Sequence, residues 1–105
     1  MTIVILSVKL ISVWRIEYSN KAFKAIGKLP SDIQEIFYSL KTEMEIDGPY
    51  RSNWHNYRKF MGLNNCYHCH LHKGKPTYVA CWKIIDKTNK RLEIYYVGTH
   101  EKAPY

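Results

Sequence analysis

A chain of 105 residues supports one domain with a single modest core and is too short for two. Its three cysteines cannot all pair, so no disulfide framework is implied, and the count suits a reducing compartment. The formal net charge of +7 favours an anionic partner. We therefore expect a single domain over residues 1–105, located in the cytoplasm.

The first segment, MTIVILSVKLISVW, is apolar but is interrupted by Lys9. It has neither the charged start nor the small-residue cleavage site of a signal peptide. It is also shorter than the roughly 20 apolar residues that a membrane-spanning helix needs. We expect residues 1–12 to be an extension that leads into the first strand, and we expect no membrane partner.

Alternation and helical periodicity predict one strand and two helices in the first half of the chain. In VWRIEYS, apolar and charged residues alternate as in a half-buried strand. Ser19 or Asn20 would cap a short helix, and Ser31 with Gln34 forms a candidate capping box for a second one. Apolar residues share one face of each helix: Ala22, Phe23 and Ile26 in the first, and Ile33, Ile36, Phe37, Leu40 and Met44 in the second.

Three strand-like runs follow, CYHCHLH, TYVACWKII and LEIYYVGTH, separated by the turn sequences KGKP and DKTNKR. Turns of this length join antiparallel neighbours. The predicted fold is therefore α+β, a small antiparallel β-sheet packed against two N-terminal helices in the order β-α-α-β-β-β. We expect two sets of residues to pack together in its core: Phe23, Ile26, Ile36, Phe37 and Leu40 from the helices, and Leu71, Ala80, Trp82, Ile94 and Tyr96 from the sheet.

The stretch from Cys66 to His72 holds three histidines and two cysteines. Read alone, CYHCH fits covalent haem attachment, and its composition also suggests zinc. On a strand, however, successive side chains point to opposite faces, so Cys66 and Cys69 cannot reach one ion or one haem without a bend. We expect no metal, haem or other cofactor, and we expect Cys69, Leu71 and Cys81 to lie in the core. A metal-binding module is the least favoured alternative.

The same alternation places three histidines, His68, His70 and His72, in line on one face, with Lys73 and Lys75 in the next turn. A half-solvated face has no packing reason to prefer imidazole. Imidazole does have a chemical use, because its ordinary pKa of about 6.5 lets it accept and donate protons around neutral pH. The row of histidines therefore indicates acid–base chemistry.

No Asp or Glu occurs from Gly48 through Ile85, a segment in which cations alternate with aromatic rings. Such a composition is expected of a surface that binds phosphates and stacks bases. A solvated basic face, or a surface for an acidic protein, would carry the same charge. The aromatic residues of this segment are Tyr50, Trp54, Tyr57, Tyr67, Tyr78 and Trp82.

Two motifs resemble the RelE/ParE superfamily of bacterial toxin–antitoxin toxins, and more closely its RelE-like mRNA interferases. One is the predicted hairpin LNNCYHCHLH…YVACWKI, and the other is the closing segment YYVGTHEKAPY, so that the resemblance extends from about Trp14 to Tyr105. It implies the toxin of a type II toxin–antitoxin system, a ribosome-dependent and metal-independent endoribonuclease that cleaves mRNA and inhibits translation. The implied partners are the ribosome, mRNA and a cognate antitoxin. The toxin would be a monomer when free and would form a heteromeric complex with the antitoxin.

The resemblance also assigns candidate roles to individual residues. His68 and His70 stand where some relatives have catalytic lysines or other polar residues, and His100 matches the Arg or His after the last strand. Tyr105 matches the terminal aromatic residue that stacks on or orients the scissile nucleotide, which makes these four the candidate catalytic residues. The candidate RNA-binding residues are Arg58, Lys59, His72, Lys73 and Lys75.

The chain departs from the pattern of these relatives in the second strand of the hairpin. Val79 stands where an arginine is common, and KGKP is a longer turn than usual, so stabilisation of the phosphate must come from other residues. A ParE-like protein that inhibits gyrase by binding, without catalysis, is the alternative. The row of histidines and the closing segment favour the nuclease, because a pure binder does not need paired groups that titrate near neutrality.

Overall fold

Two helices and a five-stranded sheet make up residues 13–105, the part of the chain that this computed structural model describes. The predicted extension over residues 1–12 lies outside the described residues. The elements are β1 (Arg15–Tyr18), α1 (Asn20–Gly27), α2 (Ser31–Asp47), β2 (Arg58–Lys59), β3 (Cys66–His72), β4 (Tyr78–Asp86) and β5 (Arg91–Thr99), followed by a 3-10 turn over His100–Lys102. The α+β class and the predicted order of elements are confirmed, with the two-residue strand β2 as an addition.

The sheet has the strand order β1-β5-β4-β3-β2. Strands β3, β4 and β5 form the two predicted antiparallel hairpins, and β2 adds antiparallel to β3. Strand β1 differs from the prediction because it pairs parallel with β5, which makes the sheet mixed. No turn joins β1 to β5, so turn length gives no information about their direction. An ion pair also links the two strands, since Arg91 Nε donates to Glu17 Oε2 at 2.6 Å and Arg91 Nη2 to Glu17 Oε1 at 3.1 Å.

One of the two predicted helix caps is formed. The Ser19 hydroxyl accepts a hydrogen bond from the amide of Ala22 at 3.1 Å and caps α1. The predicted capping box of α2 is wrong, because Pro30 occupies the cap position and makes no side-chain hydrogen bond. Gln34 instead donates through Nε2 to the carbonyl of Ile26 at 2.8 Å. This bond ties the first turn of α2 to the end of α1.

The core lies between the helices and one face of the sheet, and most of the predicted packing is confirmed. Its buried residues are Ala22, Ile26, Ile33, Phe37, Leu40, Met44, Tyr67, Cys69, Leu71, Ala80, Trp82, Ile84, Leu92, Ile94 and Val97. Ile36 is partly buried against this cluster. Phe23 and Tyr96, which we also expected there, lie outside it.

The core predictions for Phe23 and Tyr96 are wrong for different reasons. Phe23 is 67% exposed, because the short helix α1 buries Ala22 and Ile26 and leaves Phe23 with an edge contact to Tyr18 at 6.1 Å. The pairing of β5 with β4 is irregular between Ile94 and Tyr96, so the inward position passes from Tyr96 to Val97. A strict alternation along the sequence cannot reveal such an irregularity.

The proposed base-stacking role of the aromatic residues is not supported for most of them, because they lie on the helix side of the sheet. Trp82 and Tyr67 are buried in the core, and Tyr57 stacks on both at centroid distances of 6.2 and 6.0 Å. Trp54 also packs against the core. The aromatic content of the segment from Gly48 to Ile85 therefore mainly reflects core packing.

The opposite face of the sheet carries the histidines of β3. Val79 and Cys81 on β4 lie directly across from His70 and His68, and both are fully buried. Cys69 lies in the core, as predicted, so its neighbour positions His68 and His70 point away from the helices. Burial raises the pKa of the Cys81 thiol to about 12 and raises that of Cys69 as well, so both thiols are protonated at neutral pH.

Residues 66–72 form a strand, as predicted, and not the bent or helical segment that haem attachment would need. Within residues 13–105, no three His, Cys, Asp or Glu side chains are grouped so that they could hold a metal ion. No helix of that range is both long enough and apolar enough to cross a membrane.

Candidate active site

Three imidazole rings from different parts of the chain meet at one end of the histidine-bearing face. The rings of His55 and His70 make an edge contact with their centroids 6.0 Å apart, and those of His70 and His100 do so at 5.4 Å. We refer to His55, His70 and His100 as the histidine cluster. His70 lies at its centre.

Backbone hydrogen bonds fix the positions of the two outer members of the histidine cluster. The amide of His70 in β3 donates to the carbonyl of His55 at 2.8 Å, which ties the loop between α2 and β2 to the sheet. The amide of His100 donates to the carbonyl of Thr77 at 2.8 Å, which holds the 3-10 turn beside the start of β4. The cluster is thus built on a strand and two tethered segments.

The loop that carries His55 is anchored on the carboxylate of Glu43 in α2. Glu43 Oε1 accepts hydrogen bonds from Asn53 Nδ2 at 2.8 Å, Trp54 Nε1 at 2.9 Å and Arg51 Nη1 at 3.1 Å. Burial alone would raise the pKa of Glu43, but the three donors and the Arg51 charge outweigh it and lower the pKa below its ordinary value. The carboxylate is therefore ionised at neutral pH, and the loop has a fixed position.

A second group of rings, Phe60, His68 and Tyr105, lies beside the histidine cluster. His68 is only 8% exposed and is stacked against both neighbours, with centroid distances of 4.6 Å to Phe60 and 4.3 Å to Tyr105. We refer to these three as the aromatic cluster. Tyr105 connects the two groups through an edge contact with His100 at 5.7 Å.

Burial and neighbouring positive charge keep two of the imidazoles neutral. Desolvation is the main cause that lowers the pKa of His68, with smaller effects of His70, Arg58 and His100. Desolvation also lowers the pKa of His70, assisted by His100, His55 and Lys73. Both rings are therefore unprotonated at neutral pH and able to accept a proton. Burial raises the pKa of Tyr105 to about 12, so its phenol stays protonated.

The four predicted catalytic residues, His68, His70, His100 and Tyr105, lie together in these two connected clusters. The predicted RNA-binding residues are more dispersed. Arg58 pairs across the sheet with His68 and so shares its face, whereas Lys59 pairs with Tyr67 and faces the other way.

The remaining candidates surround the turn between β3 and β4. Lys73 is close enough to His70 to lower its pKa. Lys75 lines a cavity of about 330 Å³ together with His100 and Glu101. His72 follows a register shift in β3, is exposed, and lies against Gly74, where an added Cβ would come 2.8 Å from His72 Cε1. His72 thus stands apart from the histidine cluster.

Sequence reasoning missed three residues of the site, namely His55, Asn56 and Phe60. They belong to a connection between α2 and β3 that has no periodic pattern, so nothing local placed them on the histidine face. The available signal was composition, because His55 and Asn56 fall in the segment without acidic residues. Asn56 adopts a left-handed backbone with φ of 52° and places Nδ2 3.2 Å from His70 Nδ1 and 3.4 Å from His70 Nε2.

The fold of this chain, with two helices on one face of a five-stranded sheet, is similar to that of solved RelE toxin structures, as the sequence resemblance predicted. In the crystal structure of an archaeal RelE–RelB complex from Pyrococcus horikoshii OT3, the matching chain has a TM-score of 0.67 and 17% identity, over 87% of this chain and 99% of that one. The isolated E. coli RelE toxin gives a TM-score of 0.65 and 21% identity, over 87% of this chain and 88% of that one. The matching chain of the intact E. coli RelBE toxin–antitoxin complex gives a TM-score of 0.65 and 21% identity, over 81% of this chain and 94% of that one.

No protein-family model matches the sequence, and no curated protein sequence matches it either. The likeness is therefore one of fold, at low sequence identity.

Proposed function

We propose that this protein is the toxin of a type II toxin–antitoxin system and that it cleaves mRNA on the ribosome by metal-independent histidine chemistry. The observation that carries the proposal is the histidine cluster, in which His70 and His100 lie in ring contact on the open face of a RelE-like fold. A binding protein would not need adjacent imidazoles held at fixed positions.

The proposed reaction is transfer of the phosphoryl group within the RNA. A base removes the proton from a ribose 2′-OH, the 2′-oxygen attacks the adjacent phosphorus, and the bond from phosphorus to the 5′-oxygen breaks. An acid gives a proton to the leaving 5′-oxygen, so the products are a 2′,3′-cyclic phosphate and a 5′-hydroxyl. The lowered pKa of His70 suits it to act as the base, and His100 beside it is placed to act as the acid.

Positive charge around the histidine cluster would stabilise the phosphorane, an electrostatic contribution that is often large. We assign this role to Arg58, Lys73 and Lys75, which lie on the histidine face or in the adjacent turn. Tyr105 would stack on or orient a base next to the scissile bond. Lys59 and His72 are exposed and lie away from the cluster, so that contacts with RNA there would be peripheral.

The partners follow from the same proposal. A toxin of this kind acts on mRNA at the ribosome, in the cytoplasm, and is neutralised by a cognate antitoxin. The solved relatives include RelE bound to RelB, which makes a heteromeric complex the expected resting form and a monomer the expected free form. The net charge of +7 supports association with RNA and with an acidic antitoxin segment.

The test is cleavage of a short mRNA on programmed ribosomes by the wild type and by His70→Ala and His100→Ala. Each substitution should reduce the cleavage rate by ~100- to 10,000-fold, the usual loss for removal of a general acid or base. His72→Ala removes an exposed histidine outside the cluster and should have a much smaller effect. Circular dichroism would check that the variants are folded.

A gyrase supercoiling assay, run in parallel, distinguishes the ParE-like alternative. If the wild type blocks gyrase and leaves mRNA whole, or if the His70 and His100 variants cleave at the wild-type rate, the nuclease proposal is wrong. Growth arrest that both variants relieve would support it.

A further inference from the structure

We propose that two exposed apolar side chains, Met61 and Leu63, contact an unpaired base of the RNA beside the histidine cluster. We refer to these two residues, which lie in the loop between β2 and β3, as the apolar tip. The inference rests on the proposed function in that the RNA is the same substrate. Its first test uses an RNA that cannot be cleaved, so it does not depend on catalysis.

The side chains of the apolar tip contribute little to the core. Met61 is 96% exposed and Leu63 is 55% exposed. Scattered exposed apolar residues are common on protein surfaces, so exposure alone does not indicate a binding site. Two further observations connect the tip to the candidate active site, namely the way the loop is held and the place where it begins.

Backbone hydrogen bonds hold both ends of the loop. The amide of Phe60 donates to the carbonyl of Cys66 at 2.9 Å and closes the loop. The amide of Ile84 donates to the carbonyl of Asn65 at 2.9 Å and ties the loop to β4. Gly62, with φ of 80°, and Asn65, with φ of 64°, take the left-handed conformations that reverse the chain. A tip on such a tethered turn loses little conformational entropy when it binds a ligand.

The loop begins at the aromatic cluster. Phe60 directly precedes the apolar tip in the chain, and its ring lies 4.6 Å from that of His68 and 5.0 Å from that of Tyr105. Tyr105 is in turn in edge contact with His100 of the histidine cluster. A base that lies against the aromatic cluster, while its phosphate lies at the histidine cluster, is therefore within reach of the apolar tip.

The charge around the apolar tip indicates the chemistry of its ligand. Arg58 and Lys59 are exposed directly before the loop, and no Asp or Glu occurs from Gly48 through Ile85. Unpaired RNA matches both features, because it has anionic phosphates and flat apolar base faces, and Met and Leu side chains contact base faces in other nucleic-acid-binding proteins. Continuity with the candidate active site favours RNA over an acidic and apolar protein segment, which would present similar chemistry.

NMR of the methionine methyl groups measures the contact directly. The chain has three methionines, and Met44 is fully buried, so its signal serves as an internal control. The probe is a single-stranded RNA of mixed sequence with 2′-O-methyl riboses, which lacks the hydroxyl that the proposed reaction needs. Binding should shift the Met61 methyl signal upfield, because the ring current of a base shields a methyl group that lies over its face. The Met44 signal should not move, and Met61→Leu identifies the Met61 signal by removing it.

A chain of the same sugars and phosphates without bases is the comparison probe. It should bind through its charge and leave the Met61 signal in place. The proposal is wrong if the RNA does not bind at low salt, or if both probes shift the signal equally. A Met61 signal that stays in place in the RNA complex would also overturn it, and would leave an acidic and apolar protein segment as the occupant.

Substitution of the apolar tip should weaken RNA binding without changing its salt dependence. Met61→Gln combined with Leu63→Gln should lower the affinity roughly 3- to 10-fold, less than the loss of an aromatic stacking residue. The slope against salt concentration should not change, because no cation is removed. Phe23→Gln combined with Ile46→Gln is the matched control, since both are exposed apolar residues on the helices. Fluorescence anisotropy measures the affinities, circular dichroism checks the folding, and equal affinities of the two double variants would contradict the proposal.

These results are separate from the test of the nuclease proposal. If the Met61 signal shifts as expected but the wild type leaves mRNA whole, the contact is confirmed and the nuclease proposal is wrong. If His70→Ala and His100→Ala abolish cleavage while RNA leaves the Met61 signal in place, the contact is refuted and the nuclease proposal is supported.

Discussion

His68 differs from the other histidines of the site in how closely it is enclosed. Phe60 and Tyr105 cover its ring, and its Nδ1 atom is buried without a hydrogen-bond partner among the described residues. An unsatisfied buried nitrogen costs stability, and native proteins keep such groups rarely. Because the Tyr105 ring stacks on His68 with a centroid distance of 4.3 Å, we regard it as a cover that separates His68 from solvent.

Removal of this cover should change the titration of His68. In Tyr105→Ala, the pKa of His68 should rise towards its ordinary value of about 6.5, because desolvation is the largest cause of its lowering. Loss of the ring contacts should also lower the free energy of unfolding by about 1 kcal/mol. NMR titration of the histidine side chains measures the first effect and chemical denaturation the second. Tyr105→Phe, which keeps the ring, should reproduce the wild type, and an unshifted His68 in Tyr105→Ala would refute this account of its burial.

Among the elements, the loop from Gly48 to Tyr57 has no secondary structure of its own and yet carries part of the site. Its order comes from α2, through the three hydrogen bonds to Glu43, and from the sheet, through Trp82 Nε1, which donates to the carbonyl of Pro49 at 3.0 Å. The Glu43 carboxylate thus connects the helical layer to the loop that carries His55.

Substitution of Glu43 should weaken both the fold and the site. Glu43→Ala leaves the Trp54 indole without its hydrogen-bond acceptor and Arg51 with only its 3.9 Å ion pair to Asp47, and should lower the free energy of unfolding by about 2 kcal/mol. Glu43→Gln keeps an acceptor oxygen and should have a smaller effect. Urea denaturation measures both changes, and a stability of Glu43→Ala equal to that of the wild type would show that the loop does not depend on this anchor.

The pH dependence of the Glu43 contribution has a definite sign. Its pKa is lowered in the folded protein, so the carboxylate stabilises the fold above its ordinary pKa of 4.5. That stabilisation should be lost as the pH falls from about 4.5 through the lowered pKa. Glu43→Gln should lack this part of the acid dependence, which serves as the control for the pH series.

The elements that the sequence predicted are those with a local signal. The hairpins of β3, β4 and β5 follow from alternation and turn length, and both helices follow from their apolar stripes. The parallel pairing of β1, the inward shift from Tyr96 to Val97 and the positions of His55 and Asn56 depend on contacts between distant residues. The motif resemblance predicts a site of His68, His70, His100 and Tyr105, and strand alternation supports the first two. The four lie together, and their catalytic role stays a prediction.

At the scale of the whole molecule, the sheet separates two kinds of surface. Both helices pack on one face, and the histidine cluster, Arg58 and the turn with Lys73 and Lys75 lie on or beside the other. The positive charge near the site can therefore be changed without altering the helical layer.

This separation allows a test of the RNA-binding surface. Lys73→Ala combined with Lys75→Ala should weaken binding to RNA or ribosomes and reduce the slope of log affinity against log salt concentration by about 1.4, the value for two contacts to single-stranded phosphates. Lys24→Ala combined with Lys28→Ala removes the same charge near α1 and should leave the slope nearly unchanged. Equal slopes for the two double variants would mean that net charge alone, and not the turn, attracts RNA.

The parallel pairing of β1 with β5 determines when the core can be completed during synthesis of the chain. Glu17 and Arg91, which pair across it, are 74 positions apart, and β5 lies between β1 and β4 in the sheet. During synthesis, β1 and α1 leave the ribosome before β5, the strand against which they pack, and α2 leaves before its partner strand β3. The nascent chain therefore cannot complete its core or bring His100 to His70 until β5 and the following turn have emerged. Assembly of the site therefore waits until residues 91–102 have left the ribosome.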